Sequence, residues 1–329
     1  MKLKPLEVYY RRLHKLRYYA SHAYLEIFPY AVLKRKWSDI EQAFSLLLDD
    51  VRRYLQTRID YCNRLEQPFN ASKPTEGVSF ASVGTFKRNH DSAYFFDLAE
   101  YTRYFPKEAC FSYLFGDVTH VPGQPAFVKS RPIGKSNQNS VMTRLDSVRH
   151  FYVRPDPFPF EDKKDLLVWR GAAFSEQPHR VSFLEKFHNH PDCDVGCVHK
   201  VSLGKPYHQD FLTIAQQCAY RYILSIEGND VATNLKWISA SNSVCFMTHP
   251  KYETWFCEGL MIPDLHYVSL EDDYSDLNEK LAFYRSHPDA ARKIVEASKE
   301  YIKPFFDKNL ETIANVMVLK KYFEMSGQI

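Results

Sequence analysis

The sequence lacks the features by which several protein classes are recognised. No run approaches the ~18 apolar residues that a helix needs to cross a bilayer, and the charged N-terminus has no apolar segment typical of a secretory signal. The net charge of +3 is too small to indicate a nucleic-acid-binding protein. Seven cysteines, an odd number without framework spacing, favour a reducing compartment. A cytoplasmic location is therefore expected.

Several catalytic motifs are absent as well. The chain contains no G-x-x-x-x-G-K-[ST], no G-x-G-x-x-G and no G-x-S-x-G. A D-x-D spacing occurs only at 192–194, before a predicted strand rather than after one. A group of potential zinc ligands matches no standard structural pattern: His188, His190, Cys193, Cys197 and His199. We therefore expect no metal and no cofactor.

The pattern along the chain changes twice. Residues 6–66 are predicted to be helical, with one helix over 41–58, and 67–135 to form short strands at Val78–Val83, Ala93–Leu98 and Phe111–Phe115. After Pro159, strands alternate with helices, which predicts an α/β fold with a parallel, doubly wound sheet. The predicted domains are 1–158 and 159–329. The strands of the second are expected at Leu166–Trp169, Val195–Val201, Tyr222–Ile226, Val244–Thr248 and His266–Leu270.

Two strand–helix junctions of the second domain could carry chemistry, because ligands of such sheets bind at the carboxyl ends of the strands. At 227–236, a glycine and small residues open a helix, which would let backbone amides approach a phosphate. At 169–173, Arg170 and the nearby Arg180 could face one cleft and bind a diphosphate through their planar forks. A plain capped turn and surface salt bridges remain the alternatives.

A carboxylate is the remaining candidate for a catalytic group. Asp117 follows the apolar strand predicted at Phe111–Phe115. One carboxylate within hydrogen-bond reach of an attacking hydroxyl is sufficient as the base of an inverting displacement. The competing interpretation is an aspartate that caps the end of a strand.

Several ordered blocks of the sequence resemble glycosyltransferase family 90, which includes Rumi-type protein O-glucosyltransferases, fungal capsule-associated xylosyltransferases and bacterial lipopolysaccharide-core transferases. The strongest block is 226–237, which continues through 241–243. The likeness spans about residues 75–310 and is closest to the bacterial members. The other matching blocks are Phe115–Val118, Lys129–Pro132, Val168–Gly171, Pro250, Glu253–Phe256 and His266–Val268.

The resemblance implies a GT-B fold, in which two Rossmann-like domains face a central cleft, here with a helical N-terminal segment. It further implies a UDP-sugar donor, inversion, no metal, Asp117 as the catalytic residue and Arg180 as a diphosphate ligand. Ala172 and Asn234 depart from the eukaryotic pattern of Ser and Arg, and Lys236 would supply the missing charge. The expected donor site comprises Arg170, Gly171, Ala172, Arg180, Gly228, Asp230, Val231, Ala232, Thr233, Asn234, Lys236 and, for the ribose, Glu253, whose alternative is a structural hydrogen bond.

The acceptor implied by this resemblance is a glycan, above all the lipopolysaccharide core. A capsular or protein acceptor, or a non-catalytic glycan-binding module of the same fold, are the alternatives, and no nucleic-acid partner is expected. The first 36 residues hold nine Lys and Arg against two Glu, interleaved with aromatic residues. Such a segment could contact an anionic membrane, which would place the protein on the inner face of the inner membrane. The alternative is a solvated basic face with its aromatic rings packed inward.

Overall fold

A computed structural model of the chain describes residues 3–28, 30–71, 76–88 and 91–329. These residues pack into two compact units. The parallel-sheet unit contains residues 3–13, His150–Pro250 and Leu260–Lys303. The mixed-sheet unit contains the described residues of His14–Arg149, Lys251–Gly259 and Pro304–Ile329. The domains drawn at 1–158 and 159–329, and the GT-B arrangement, stay predictions.

Helices and strands follow one another along the described residues. The helices are α1 Leu3–His22, α2 Tyr24–Ile27, α3 Tyr30–Leu33, α4 Trp37–Ser45, α5 Asp49–Cys62, α6 Ser92–Thr102, α7 Ser147–His150, α8 Pro178–Phe187, α9 Ile214–Gln217, α10 Leu235–Ser239, α11 Leu277–Ser286, α12 Pro288–Ile302 and α13 Lys308–Met325. The strands are β1 Ser79–Ser82, β2 Cys110–Leu114, β3 Ala126–Val128, β4 Ser130–Pro132, β5 Ser140–Met142, β6 Lys164–Gly171, β7 Cys193–Cys197, β8 Tyr220–Leu224, β9 Val244–Thr248, β10 Tyr252–Thr254 and β11 Val268–Leu270. Short 3-10 helices occupy Phe160–Asp162, Lys200–Ser202, Glu258–Leu260 and Lys303–Phe306. Within the described ranges, no helix is both long and apolar enough to span a membrane.

The N-terminal part is helical, as predicted for 6–66, although Lys2 of its basic stretch lies outside the described residues. The single helix predicted over 41–58 is wrong, because α4 ends at Ser45 and α5 begins at Asp49. Leu48 between them has an extended backbone, with ψ of 146°. The prediction rested on the helical spacing of Phe44, Leu47, Leu48, Val51 and Leu55. Leu48 is 74% exposed, so this spacing does not reflect one continuous buried face.

The mixed-sheet unit is built on a sheet in the order β1-β2-β3-β5, with β1 antiparallel to β2 and the other pairs parallel. A second pair, β10 with β4, is antiparallel. The strand predicted at Ala93–Leu98 is wrong, since these residues belong to α6. Phe95, Phe96 and Leu98 are all buried, and a short apolar run buried on several sides does not distinguish a helix from a strand.

The parallel-sheet unit confirms the predicted alternation of strands and helices. Its strands lie in the order β11-β9-β8-β6-β7, and every neighbouring pair is parallel. From β6 the chain first continues to β7 on one side and then returns to β8 on the other side. This is a doubly wound order whose topological switch point lies between β6 and β8, where ligands of such sheets bind.

Candidate active site

Arg180 lies at the switch point of the parallel sheet. It belongs to the first turn of α8, which Pro178 opens at a position where no backbone N–H is needed. Its Nη1 donates to the carbonyl of Ala172, just after β6, at 2.8 Å. Its Nη2 and Nε donate to the carbonyls of Ile226 and Glu227, just after β8, at 2.8 and 2.7 Å. One guanidinium therefore ties together the two loops that border the switch point.

The carboxylate of Glu227 acts on Arg180 electrostatically, but it forms no ion pair with the guanidinium. Among the described residues, no Asp or Glu lies within ion-pairing distance of it. Its guanidinium centre lies 5.6 Å from the ring centroid of Trp169. Burial lowers the pKa of Arg180 to about 10, which still leaves it charged at neutral pH. A half-buried cation surrounded by carbonyl oxygens and an aromatic ring is suited to an anionic ligand such as a diphosphate.

The glycines expected at this site allow close packing around the arginine. A Cβ added to Gly171 would lie 2.5 Å from Cζ2 of Trp169, too close for any side chain without rearrangement. A Cβ added to Gly228 would lie 3.3 Å from Nη2 of Arg180. Both junctions predicted from the sequence therefore meet at Arg180, and Ala172 contributes through its backbone carbonyl.

The segment 230–236 is more enclosed than the sequence indicates. Asp230, Val231 and Ala232 are buried, and Lys236 exposes 0% of its side chain in the short helix α10. Asn234 donates from Nδ2 to the carbonyl of Leu224 at 3.0 Å, so it ties α10 to the end of β8. The half-buried Thr233 lies in the turn before α10. The donor contacts expected of these residues stay predictions.

Arg170 has a different set of partners from Arg180. Its guanidinium forms an ion pair with Asp194 on the neighbouring strand β7, and it also donates to the carbonyl of Asp210 at 3.1 Å. Burial would raise the pKa of Asp194, but hydrogen bonds from Tyr220 and Arg170 outweigh it and the pKa is lowered. The two arginines share no partner, and the ion pair argues against Arg170 as a diphosphate ligand.

Asp117 lies past the carboxyl end of β2, next to a buried lysine. Gly116 before it has φ of +97°, a left-handed conformation that favours glycine. Ser130 Oγ accepts a hydrogen bond from the backbone N–H of Val118 at 3.1 Å, which fixes the loop. Lys129 Nζ donates to Asp117 Oδ1 at 2.5 Å, with 1% of the lysine and 29% of the aspartate side chain exposed. The buried lysine thus fixes the carboxylate, which solvent can still reach.

A second carboxylate belongs to the same group of charges. Asp146 follows β5 with φ of 55°, a strained conformation for a residue other than glycine, and is 7% exposed. Burial raises its pKa, Arg149 and Lys129 lower it, and Asp117 raises it. The pKa of the nearby Tyr94 is raised to about 12, mainly by burial. Asp146 and Asp117 also raise this pKa, while Lys129 lowers it. The carboxyl ends of β2, β3 and β5 thus carry a compact set of interacting charges.

Glu253 does not lie in the parallel-sheet unit to which the sequence analysis assigned it. It belongs to β10, which pairs with β4 in the mixed-sheet unit. Its Oε1 accepts from Arg131 Nε at 2.8 Å and its Oε2 from the hydroxyl of Tyr61, and both charged side chains are 0% exposed. The structure therefore contains the structural hydrogen bond that was the alternative to a ribose contact.

Potential metal ligands are not gathered in the described part of the chain, where no group of three His, Cys, Asp or Glu is arranged to hold an ion. The D-x-D pair is divided between two partners, since Asp192 bonds to Arg285 and Asp194 to Arg170. Metal independence stays a prediction.

Sequence reasoning gave no role to Lys129 or Asp146. Lys129 directly follows β3, and Asp146 comes four residues after the end of β5, much as Asp117 comes three residues after the end of β2, so the rule that selected Asp117 would also have selected them. The strands β3 and β5 are only three residues long, too short to be recognised from periodicity.

A doubly wound parallel sheet with a cation at its switch point is typical of α/β proteins that bind phosphorylated ligands. The model of Glycosyl transferase family 90 matches residues 140–325. The chain belongs to glycosyltransferase family 90, which the sequence blocks predicted, and is a glycosyltransferase.

Relatives agree with this membership. The chain is 46% identical to O-glucosyltransferase LpsA of Dichelobacter nodosus over 96% of this chain and 97% of that protein. It is 27% identical to protein O-glucosyltransferase 1 of Rattus norvegicus over 44% of this chain and 38% of that protein. Among solved structures, the chain resembles the C-terminal domain of a glycosyl transferase group 1 family protein from Francisella tularensis, with a TM-score of 0.32 and 10% identity. The match covers 47% of this chain and 95% of that one. This likeness is too weak to carry an argument.

Proposed function

We propose that this protein transfers glucose from UDP-glucose to a hydroxyl of a lipopolysaccharide-core glycan, with inversion and without a metal. The observation that carries the proposal is Arg180, a cation without a carboxylate partner among the described residues, placed where the doubly wound sheet offers its ligand site. Glucose is chosen because both named relatives are glucosyltransferases. The lipopolysaccharide acceptor is chosen because the sequence blocks are closest to those of the bacterial members.

On the donor side, Arg180 binds the diphosphate through the N–H groups that the carbonyls of Ala172, Ile226 and Glu227 leave unused. Negative charge builds up on the departing UDP as the glycosidic bond breaks. A preorganised cation that needs no reorientation stabilises this charge. The glycine at 228 leaves room for the phosphate beside the guanidinium.

On the acceptor side, Asp117 acts as the base. Its carboxylate takes the proton of the acceptor hydroxyl while the hydroxyl oxygen forms a bond to the anomeric carbon, and the bond from that carbon to UDP breaks on the opposite face. Lys129 orients the carboxylate through the hydrogen bond from its Nζ. The proton thereby passes to Asp117, the glucosyl group passes to the acceptor oxygen, and UDP leaves, so the proposed step needs no metal.

A donor screen tests the proposal. The purified protein is incubated with UDP-glucose, UDP-galactose and UDP-xylose, with and without EDTA, and UDP release is measured. We expect slow hydrolysis of UDP-glucose that EDTA does not change, and acceleration by truncated lipopolysaccharide. Absence of UDP release from every donor would instead favour a glycan-binding module, and a requirement for a divalent ion would refute the metal-independent mechanism.

A protein acceptor is the second candidate, since the mammalian relatives are named protein O-glucosyltransferases. The same assay distinguishes the two. A capsular polysaccharide and a folded cysteine-rich protein domain are offered in parallel with the lipopolysaccharide core, and the preferred acceptor is the one with the highest kcat/KM.

We also propose that the helical N-terminal region contacts an anionic membrane. Large apolar and basic side chains are both exposed there. The apolar ones include Leu16, Ile27, Val32, Leu46 and Leu48, and the basic ones include Lys15, Arg17, Lys34 and Lys36. Apolar insertion combined with basic charge is the chemistry of interfacial binding. Co-sedimentation with phosphatidylglycerol vesicles, but not with phosphatidylcholine vesicles, is expected. Absence of binding to both kinds of vesicle would favour the alternative, a solvated basic face.

A further inference from the structure

The mixed-sheet unit contains a pocket away from the strand ends that carry Asp117. Its volume is about 410 Å³, within the range of small-molecule sites. The segment around α2, the turn after β1 and helix α6 form its walls. Phe28, Phe86 and Phe95 supply aromatic surface, and the described cations in its lining are Lys87, Arg88 and Arg103, against one carboxylate, Glu26.

Arg103 is the unusual member of this lining. The residue is 9% exposed, and it donates from Nε to the carbonyl of Ala99 at 3.1 Å and from Nη2 to the carbonyl of Leu25 at 2.9 Å. Its Nη1 is buried and has no hydrogen-bond partner in the described part of the chain. Burial lowers the pKa of Arg103, while Tyr24, whose ring centroid lies 5.6 Å from the guanidinium centre, and Glu100 act in the opposite direction. Such a group calls for an explanation, and a missing ligand is one.

The other charges leave an excess of positive charge. Arg88 is paired with Glu26 at 2.7 Å, which uses the only carboxylate of the described lining. Lys87 is exposed and forms no ion pair with any described residue. An anion entering the pocket would therefore meet two cations that need a counter-charge, while the rest of the ligand would lie against aromatic rings.

We propose that this pocket binds an acidic sugar, with its phosphate or carboxylate at Arg103 and Lys87 and its ring against Phe86. A sugar ring offers apolar C–H faces that pack on aromatic side chains, and an arginine fork matches the two oxygens of a carboxylate or phosphate. That this sugar is part of the acceptor rests on the proposed function. The pocket would then hold an acidic unit of the acceptor at a distance from the hydroxyl that reacts.

The test is a calorimetric titration of the full chain, saturated with UDP so that a nucleotide site is filled. Glucose 6-phosphate, glucuronate, glucose and inorganic phosphate are the probes. The Arg103→Gln and Lys87→Glu variants are compared with Lys308→Glu, a matched charge change at an exposed position outside the pocket. We expect both acidic sugars to bind more tightly than glucose and than phosphate, and to lose about 10- to 100-fold in affinity in the two pocket variants only.

Equal affinities for glucose 6-phosphate and inorganic phosphate would overturn the role of the aromatic ring, and unchanged affinities in both pocket variants would overturn the site. Lys87→Glu keeps the test valid if Arg103→Gln fails to fold, because Lys87 is exposed. Binding of phosphatidylglycerol vesicles in place of acidic sugars, abolished by Lys87→Glu, would assign the pocket to a lipid headgroup and refute the sugar. A wild-type protein that binds acidic sugars but not UDP would refute the proposed function and leave the pocket standing.

Discussion

Replacing Asp117 by Asn separates a catalytic carboxylate from a structural one. The amide keeps the size of the side chain and can still accept a hydrogen bond from Lys129 Nζ, but it cannot take a proton. Loss of a general base reduces kcat by roughly 10²–10⁴-fold, which is about 3–5 kcal/mol of activation free energy. The affinity for UDP should stay unchanged, since Arg180 and its partners are untouched.

The same substitution should also lower stability, because a lysine with 1% exposure loses its ion pair with Asp117. Removing one partner of a fully buried ion pair costs about 3–5 kcal/mol. The carboxylate is 29% exposed and the amide oxygen remains bonded, so we expect about 1–3 kcal/mol. For a unit of this size, each kcal/mol lowers Tm by about 2–4 °C.

A double variant, Asp117→Asn with Lys129→Met, completes the test. Removing the lysine charge should recover part of the lost Tm, measured by circular dichroism, because Asp146 also loses a favourable interaction with Lys129. It should not recover UDP release in the presence of acceptor. If the single variant loses Tm but keeps near-normal turnover, or if the double variant regains turnover together with stability, Asp117 is structural and the proposed chemistry is wrong.

Further substitutions test the other groups. Arg180→Lys should weaken UDP binding by about tenfold or more, because an ammonium cannot replace a guanidinium that bonds to three carbonyls and, as proposed, to a phosphate. Arg170→Lys should change UDP binding little, because Arg170 is already paired with a carboxylate. Equal effects of the two substitutions in calorimetry would refute this assignment. Glu253→Gln should cost about 3–5 kcal/mol by stranding Arg131 while UDP affinity stays constant; unchanged Tm with weaker UDP binding would favour the ribose contact. Burial, opposed by hydrogen bonds, raises the pKa of Asp97 to about 6. Between about pH 4 and 6 the native state therefore binds more protons than the unfolded chain. The free energy of unfolding should consequently fall as the pH rises through that window. Urea titrations across it should give a flatter dependence for Asp97→Asn, and an identical slope would contradict the raised pKa.

The parallel sheet was predictable because its strands are short apolar runs separated by clear turn signals. Asp117 and Arg180 lie beside the carboxyl ends of strands, where one rule places the ligand sites of such sheets; their roles, which the family resemblance implied, stay predictions. Helix α6 was not predictable in the same way, since its run of aromatic residues has no clear period. Where the period is weak, burial on several sides decides the outcome, and burial is a property of the tertiary structure.

The ion-pair partners of the charged side chains could not be predicted from the sequence. Arg131 and Glu253 are 122 residues apart, and they meet because β4 and β10 are adjacent strands. Arg170 meets Asp194 because β6 and β7 are neighbours in register. Arg170 and Glu253 both looked available for a ligand when read locally. Whether an arginine is available depends on which strand lies beside it, and that order is fixed only by the complete topology.

The difference between the two arginines follows from the winding of the sheet. Connections leave β6 and β8 on opposite sides, so the carbonyls after these strands are not covered by a neighbouring strand and converge on the crevice between them. Hydrogen-bond donors are needed there to satisfy the carbonyls, whether or not a ligand binds, and Arg180 supplies them. An arginine has five N–H donors, of which the contacts of Arg180 with described residues use three. The two that remain, on a guanidinium that forms no ion pair with a described carboxylate, suit Arg180 to the proposed role of anion ligand in addition to its structural contacts, whereas Arg170 is already paired with Asp194.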